Sequence, residues 1–184
     1  HILNAHAIMY VSEWQRDAEW LRLLPELAAM PSAVTPIAID PQWLAAPKSR
    51  DERRHTFIYA SRPERGLMPL LTMWPMIRLA IPDARLLVTG YTAELSRVMI
   101  LADRLIQQVN AVVGGVVPAR ADDKPSYFKM LSQARLMLYP GAYFEETNGH
   151  VCSEAMMCGV VPLVSNLGAL AETLGNGTGL LFEG

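Results

Sequence analysis

The chain has 184 residues, 51% of them apolar and only 18% charged, which excludes an intrinsically disordered chain and leaves ample material for a buried core. Sixteen Lys and Arg against eighteen Asp and Glu leave a net charge of −2, so no global field draws it to nucleic acid, and an anionic ligand must be held locally. This length predicts one complete domain and part of another.

In chain order, residues 7–11 read as a strand, Ser12 as an N-cap, 13–28 as a helix and 34–39 as a second strand. Residues 40–54 are rich in proline and charge, the composition of an interdomain linker, so a boundary is placed after residue 47. Beyond it, short aliphatic runs recur at 56–60, 84–89, 109–113, 134–139, 160–164 and 179–182. Each is apolar on both faces, as strands covered on both sides by helices should be. Between them lie stripes with helical spacing. Leu67, Leu70, Leu71, Trp74 and Ile77 form the first, and Pro82 with Asp83 stops it. Leu95, Val98, Met99, Ala102, Leu105 and Ile106 form the second, Tyr127, Met130 and Leu131 the third, and Val151, Ala155 and Cys158 the fourth. Strand and helix in alternation predict an α/β fold, a doubly wound parallel sheet of Rossmann-like type.

No apolar run is long enough to span a bilayer, and no signal-peptide pattern is present. Cys152 and Cys158 fall in one predicted helix, too far apart to bridge, so a reducing, cytoplasmic location is expected. The chain begins at His1 and ends at Gly184 straight after an apolar run, so a piece of a longer protein is expected.

In an open parallel sheet, ligands bind beyond the carboxyl ends of the strands, which singles out two loops. Ser61-Arg62-Pro63-Glu64-Arg65-Gly66 follows the run at 56–60. Ser61 and Glu64 have capping-box spacing, which would start a helix at Arg62 and turn free N–H groups toward the strand end. Two guanidiniums there oppose the helix dipole, and an anion such as a diphosphate would offset that cost. Gly66 would let it approach the backbone. The alternative is that Arg62 and Arg65 pair with Glu64 or with surface acids.

The second loop is 144–150, from Phe144 to His150. Asn148 or Thr147 can cap the helix that follows, and Gly149 clears its N-terminus. Glu154, eight residues after Glu146, lies at the edge of the buried stripe, where a carboxylate needs partners. The hydroxyls of a ribose would serve, as would an internal pair with an arginine or a backbone amide. For Glu146 the alternative is a solvated loop.

Other patterns carry less. His150, Cys152 and Cys158 lack zinc spacing, so no metal site is expected. Gly175, Gly177 and Gly179 precede a strand rather than a helix and read as a turn. There is no phosphate-binding G-x4-G-K-[ST] loop and no G-x-S-x-G elbow, and Asp122 with Asp123 reads as a solvated loop rather than a cation site.

At these residues the sequence resembles the nucleotide-binding half of retaining glycosyltransferases with the GT-B fold, specifically glycosyltransferase family 4 (glycosyl transferases group 1). Four segments carry the resemblance, in the family's order: 11–14 through 39–41, 61–67, 82–90 and 146–162, the last with its Glu, seven residues, Glu pattern and Glu154-Ala-Met-Met-Cys-Gly-Val-Val-Pro162. The resemblance implies that this chain is the C-terminal half of a GT-B fold. Residues 48–184 would form the donor domain without its final crossing helix, and residues 1–47 a remnant of the acceptor domain plus linker.

It further implies that Arg62 and Arg65 hold the donor diphosphate, Glu154 the ribose, and Glu146, the catalytic carboxylate, the donor sugar near its anomeric carbon. The backbone of Thr147, Asn148, Gly149, His150 and Val151 would contact sugar and phosphate, and the loop at Val117 and Pro118 the base. The donor would be a UDP-, GDP- or ADP-sugar, with no metal and no other cofactor. The acceptor, a glycan, lipid or protein, would bind through the missing N-terminal domain, with peripheral association at the inner face of the membrane open. Two features depart from the family: Arg62 and Arg65 are closer together than its usual basic pair, and Ala38 stands where a glycine often precedes Ile-Asp. Competing readings are a sugar-nucleotide epimerase or phosphorylase on the same fold, and a non-catalytic flavodoxin-like nucleotide-binding module.

Overall fold

The computed structural model describes residues 5–90, 97–141, 145–175 and 177–183; Leu95 and Phe144 lie outside them. Strand β1 (Ile8–Tyr10) pairs in parallel with β2 (Ser32–Val34), Ile8 opposite Ser32 and Tyr10 opposite Val34. Ser12 caps the helical segment between them: its Oγ accepts from the Gln15 N–H at 2.9 Å, while Gln15 Oε1 accepts from the Val11 N–H at 3.0 Å. The expected continuous helix is broken. It runs as a π-helical stretch (Gln15–Trp20) and one α turn, α1 (Leu21–Leu23), then restarts as a 3-10 helix (Pro25–Ala29). Pro25 is the cause, because its ring has no N–H to continue the ladder. The strand expected at 34–39 stops after Val34; the Thr35 N–H still reaches Tyr10 O at 2.8 Å, but Pro36 has no donor to extend the pairing.

The proline-rich segment lies on the core. Asp40 caps a 3-10 turn (Pro41–Trp43), accepting from the Gln42 N–H at 2.9 Å, and Ile39, Trp43 and Leu44 pack against the core, with the Trp43 ring 6.0 Å from that of Phe128.

Six strands build the main sheet: β3 (Thr56–Ala60), β4 (Arg85–Gly90), β5 (Val116–Arg120), β6 (Leu136–Tyr139), β7 (Val161–Ser165) and β8 (Leu180–Phe182). All pairs are parallel, in the order β5-β4-β3-β6-β7-β8. This is the doubly wound order, with its reversal between β3 and β6, where a crevice opens at the carboxyl ends. Helices α2 (Leu67–Ala80), α3 (Arg97–Val112), α4 (Lys124–Leu131), α5 (His150–Met157) and α6 (Leu170–Leu174) connect the strands. The core is centred on Ile58, Tyr59, Leu71, Trp74, Met137 and Tyr139, all fully buried. Trp74 meets Phe57 edge to face at 6.2 Å and donates its indole N–H to Gly114 O at 2.9 Å.

Two expectations fail for linked reasons. Residues 109–113 are the end of α3 and its exit turn, not a strand, since Val109 continues the spacing of Ala102 and Ile106 and is buried with them. The strand follows at 116–120, after Gly114 and Gly115 turn the chain at φ 66° and 87°. Pro118 sits inside it, which the sheet accommodates because β5 is an edge strand. Val117 and Pro118 therefore belong to a strand rather than a loop. At the other edge, β8 is exposed throughout instead of covered on both faces.

Candidate functional site

The reversal of strand order places the segments after β3 and β6 side by side. After β3 the capping box does not form. Ser61 is buried, Arg62 to Arg65 make a 3-10 turn with no side-chain cap, and Gly66 at φ 114° redirects the chain so that α2 starts at Leu67. Arg65 is thereby turned across the crevice. Its Nη1 donates to Glu146 Oε1 at 2.5 Å, an ion pair between two residues 81 positions apart. Arg62 is exposed and pairs with no described carboxylate; its carbonyl accepts from the Tyr59 hydroxyl at 2.6 Å.

Glu146 is only 7% exposed, so the solvated-loop alternative does not hold. The Tyr139 hydroxyl, at the end of β6, donates to the same Oε1. Its backbone is seated on the segment before α6: Glu146 forms a parallel bridge to Gly168 and its carbonyl accepts from the Ala169 N–H at 2.7 Å. Burial first, and then the hydrogen bond to Glu146 and its charge, push the Tyr139 phenol well above its ordinary pKa, so it remains a donor. Burial works against the Arg65 charge, but Tyr139 and Glu146 outweigh it and raise the guanidinium above its usual value.

Glu154 is 1% exposed on the inner face of α5 and has internal partners. Lys124 Nζ donates to Oε1 at 2.8 Å, the Tyr127 hydroxyl to Oε2 at 2.9 Å, and His150 Nε2 lies 3.4 Å from Oε1. The internal-pair alternative is thus realised through a lysine and a phenol rather than an arginine or a backbone amide.

The segment 147–149 serves tertiary contacts rather than capping. Neither Thr147 nor Asn148 caps α5, whose N-cap is Gly149 at φ 66°. Thr147 O accepts from Ser12 Oγ at 2.5 Å, and Asn148 Nδ2 donates to Val11 O at 2.8 Å. Gly149 is required for a second reason: a Cβ there would stand 2.7 Å from Leu170 Cδ2, so its space is filled by α6. The first-turn N–H groups of α5, at His150 and Val151, lack helical acceptors by geometry and make an anion-favouring end. His150 Nδ1 is buried without a hydrogen-bond partner among the described residues.

A cavity of about 260 Å³ lies over the carboxyl ends of β3, β4 and β5, walled by Ser61, Thr89, Asp103, Met99 and Pro118. Asp123 caps α4 through the Ser126 N–H at 2.8 Å, which gives that aspartate a structural task. Among the described residues no group of three His, Cys, Asp or Glu is disposed to hold a metal ion.

Sequence reasoning missed Tyr139, Lys124 and Tyr127. Tyr139 and Tyr127 read as core members, and a hydroxyl on an apolar stripe was the signal available; Lys124 offers none, since its partner is 30 residues away.

The model of the glycosyl transferases group 1 family matches residues 44–184. Among solved structures, the chain is similar to the sucrose-phosphate synthase (tll1590) of Thermosynechococcus elongatus, at 22% identity and a TM-score of 0.77 over 98% of this chain and 46% of that one. It is similar to the pneumococcal O-GlcNAc transferase GtfA in complex with UDP and GlcNAc, at 16% identity and TM-score 0.74, over 98% and 34%. It is also similar to Anabaena Alr3699/HepE in complex with UDP and glucose, at 14% identity and TM-score 0.71, over 97% and 50%. The chain therefore spans between about a third and a half of these proteins, and the likeness is one of fold, the C-terminal half of GT-B. No curated protein matches it.

Proposed function

Because this chain belongs to the glycosyl transferases group 1 family, we propose that it is the donor-binding part of an enzyme that moves a sugar from a nucleoside diphosphate sugar to an acceptor hydroxyl, with retention of configuration. The observation that carries this reading is the Arg65–Glu146 pair at the reversal between β3 and β6, a cation and a carboxylate meeting where ligands of this fold bind.

Departure of a diphosphate leaves an oxocarbenium-like sugar, so the protein must stabilise negative charge on the leaving group and tolerate positive charge at the anomeric carbon. Arg62, Arg65 and the start of α5 meet the first demand. Arg65 commits one nitrogen to Glu146, and its fork keeps further donors for phosphate oxygens. Glu146, oriented by Tyr139, meets the second and binds sugar hydroxyls. The backbone of Thr147, Asn148, Gly149, His150 and Val151 lines the sugar and diphosphate, Glu154 accepts from the ribose through Oε2, and the cavity beside Pro118 receives the base. In this reading arginines and helix ends supply the charge that a metal would otherwise provide, and no other cofactor takes part.

Residues 1–47 are proposed as the last elements of an acceptor domain with its linker. The acceptor, a glycan, lipid or protein, would be bound mostly outside this chain. Among the described residues no helix is long and apolar enough to cross a membrane; a cytoplasmic location at the inner membrane face is proposed for the whole protein.

Thermal-shift measurement with UDP, GDP, ADP and their sugars tests the reading. UDP comes first because two of the similar structures hold it. Ligand at a hundred times its dissociation constant adds about 2.7 kcal/mol, or about 5 to 10 °C for a domain of this size. Glu154→Gln should weaken nucleotide itself, whereas Glu146→Gln should spare UDP and lose the increment due to the sugar. Absence of a shift with every nucleotide overturns the proposal.

A further inference from the structure

The amino rim of the sheet, at the far end of the strands from Glu146, carries a second concentration of charge. Arg53, in the turn before β3, is 7% exposed, and its Nη1 donates to Ala134 O and Gly159 O, both at 3.0 Å, the carbonyls that lead into β6 and β7. Its Nε is buried with no hydrogen-bond partner among the described residues. Arg50 and Arg135 share with it a cavity of about 370 Å³, whose floor is Gly159 and Val161.

No described carboxylate pairs with any of the three. Of the two acids adjacent in sequence, Glu52 is engaged by Ser49, through its N–H at 3.1 Å and its hydroxyl at 2.7 Å, and Asp51 is exposed. Burial, and then repulsion from Arg135 and Arg50, lower the pKa of Arg53, the expected sign for a buried cation close to two like charges. A guanidinium remains protonated regardless, so the charge must be met by a ligand or by solvent.

We propose that Arg50, Arg53 and Arg135 form a binding site for a phosphate-type oxyanion at the amino rim of the sheet, with Arg53 as its fixed cation and the exposed Arg50 and Arg135 as the groups that close on it. A tetrahedral oxyanion offers acceptors to three forks at once, where a carboxylate offers two oxygens. The Nη1 bonds to two carbonyls hold the Arg53 guanidinium in place at the cavity wall before any ligand arrives. Strand β6 is four residues long, about 13 Å at ~3.3 Å per residue, so the site is separate from the donor crevice. Binding there is independent of the nucleotide.

The test is titration of the chain with inorganic phosphate at low ionic strength, followed by the arginine Nε–H NMR signals. The expected result is a saturable shift of the Arg53 signal, absent with equal chloride, weakened tenfold or more by Arg135→Ala and by Arg50→Ala, and retained in Arg65→Ala, which alters the donor crevice instead. The substitutions at Arg50 and Arg135 are at exposed side chains, so the fold is retained. A shift that fails to saturate, that chloride reproduces, that Arg135→Ala or Arg50→Ala leaves intact, or that Arg65→Ala abolishes overturns the proposal. Vesicles of phosphatidylglycerol in phosphatidylcholine identify the source of the group. Saturable binding of both phosphate and vesicles, each weakened by Arg135→Ala, supports a lipid phosphate; vesicle binding without the phosphate-driven Arg53 shift overturns the site.

Discussion

Gly168 sets the position of Glu146, and its substitution separates backbone strain from steric displacement. A Cβ at Gly168 would stand 2.4 Å from Glu146 O and 2.5 Å from Glu146 N, both backbone atoms that no rotamer change can move aside. Contacts of a real Cβ essentially never fall under 3.0 Å, so the Glu146 backbone must retreat by at least ~0.6 Å, a large step on the scale of close packing. Gly114 is the control. Its φ of 66° is close to the 61° of Gly168, but the nearest atom to its Cβ is Asn110 O at 4.0 Å.

Alanine in the left-handed region costs about 1 to 2 kcal/mol at either site, and the overlap at Gly168 adds about 1 to 3 kcal/mol. With a urea dependence of about 2 kcal/mol per molar, the unfolding midpoint should fall by about 0.5 to 1 M for Gly114→Ala and about 1 to 2.5 M for Gly168→Ala. The sugar-dependent part of the thermal shift should vanish in Gly168→Ala alone, since a retreat of ~0.6 Å takes the Glu146 carboxylate beyond good hydrogen-bond distance of the sugar hydroxyls it is proposed to bind. Equal midpoints for the two variants, or an intact sugar increment in Gly168→Ala, would refute the view that this glycine seats the carboxylate.

Tyr139→Phe removes a buried donor to Glu146 while Arg65 remains, and should cost about 1 to 3 kcal/mol, read as a drop of several degrees by calorimetry; an unchanged melting point counts against the network. Trp74→Ala should cost about 3 to 5 kcal/mol, from the cavity and from the Gly114 carbonyl left unpaired; a loss below about 1 kcal/mol in urea would contradict the packing. Burial raises the thiols of Cys152 and Cys158 to about 12 and about 11, with Glu146 and Glu154 contributing respectively, so native protein near ~pH 8 should resist iodoacetamide and take two labels only when unfolded. Mass spectrometry decides it, and native labelling of Cys152 contradicts the assignment. Asp83 titrates below the usual carboxylate range because His55 Nδ1 hydrogen-bonds it at 2.6 Å. Its contribution to stability is therefore present above the ordinary carboxylate pKa of about 3.9 and lost as pH falls through the depressed folded value. His55→Ala should return the Asp83 carboxyl to the ordinary range in a carbon NMR titration; an unmoved midpoint rejects the pairing.

Where local pattern and tertiary environment agree, the chain is legible. The run at 56–60 is β3 to the residue, and the stripe from Leu67 to Ile77 is the inner face of α2. Where they conflict, pattern fails. Val109 to Val113 has strand composition, yet its spacing extends the helix before it, and Val116–Arg120 contains a proline that only an edge position permits. Ser61 and Glu64 have the spacing of a capping box, but Ser61 is drawn into the interior and Gly66 breaks the turn before a helix can begin.

The candidate site divides the same way. The residue types at 62, 65, 146 and 154, and the doubly wound class of fold, are properties of composition and period, which are local and survive in a bare sequence. Which partner each charge takes is not local. Arg65 meets Glu146 across 81 residues because β3 and β6 are neighbours, and Glu154 meets Lys124 across 30 because α4 packs on α5. A hydrogen bond needs its partners within about 3 Å and ion pairing weakens as charges separate, so these pairings are decided by strand order and helix packing, which the sequence expresses only once it is folded.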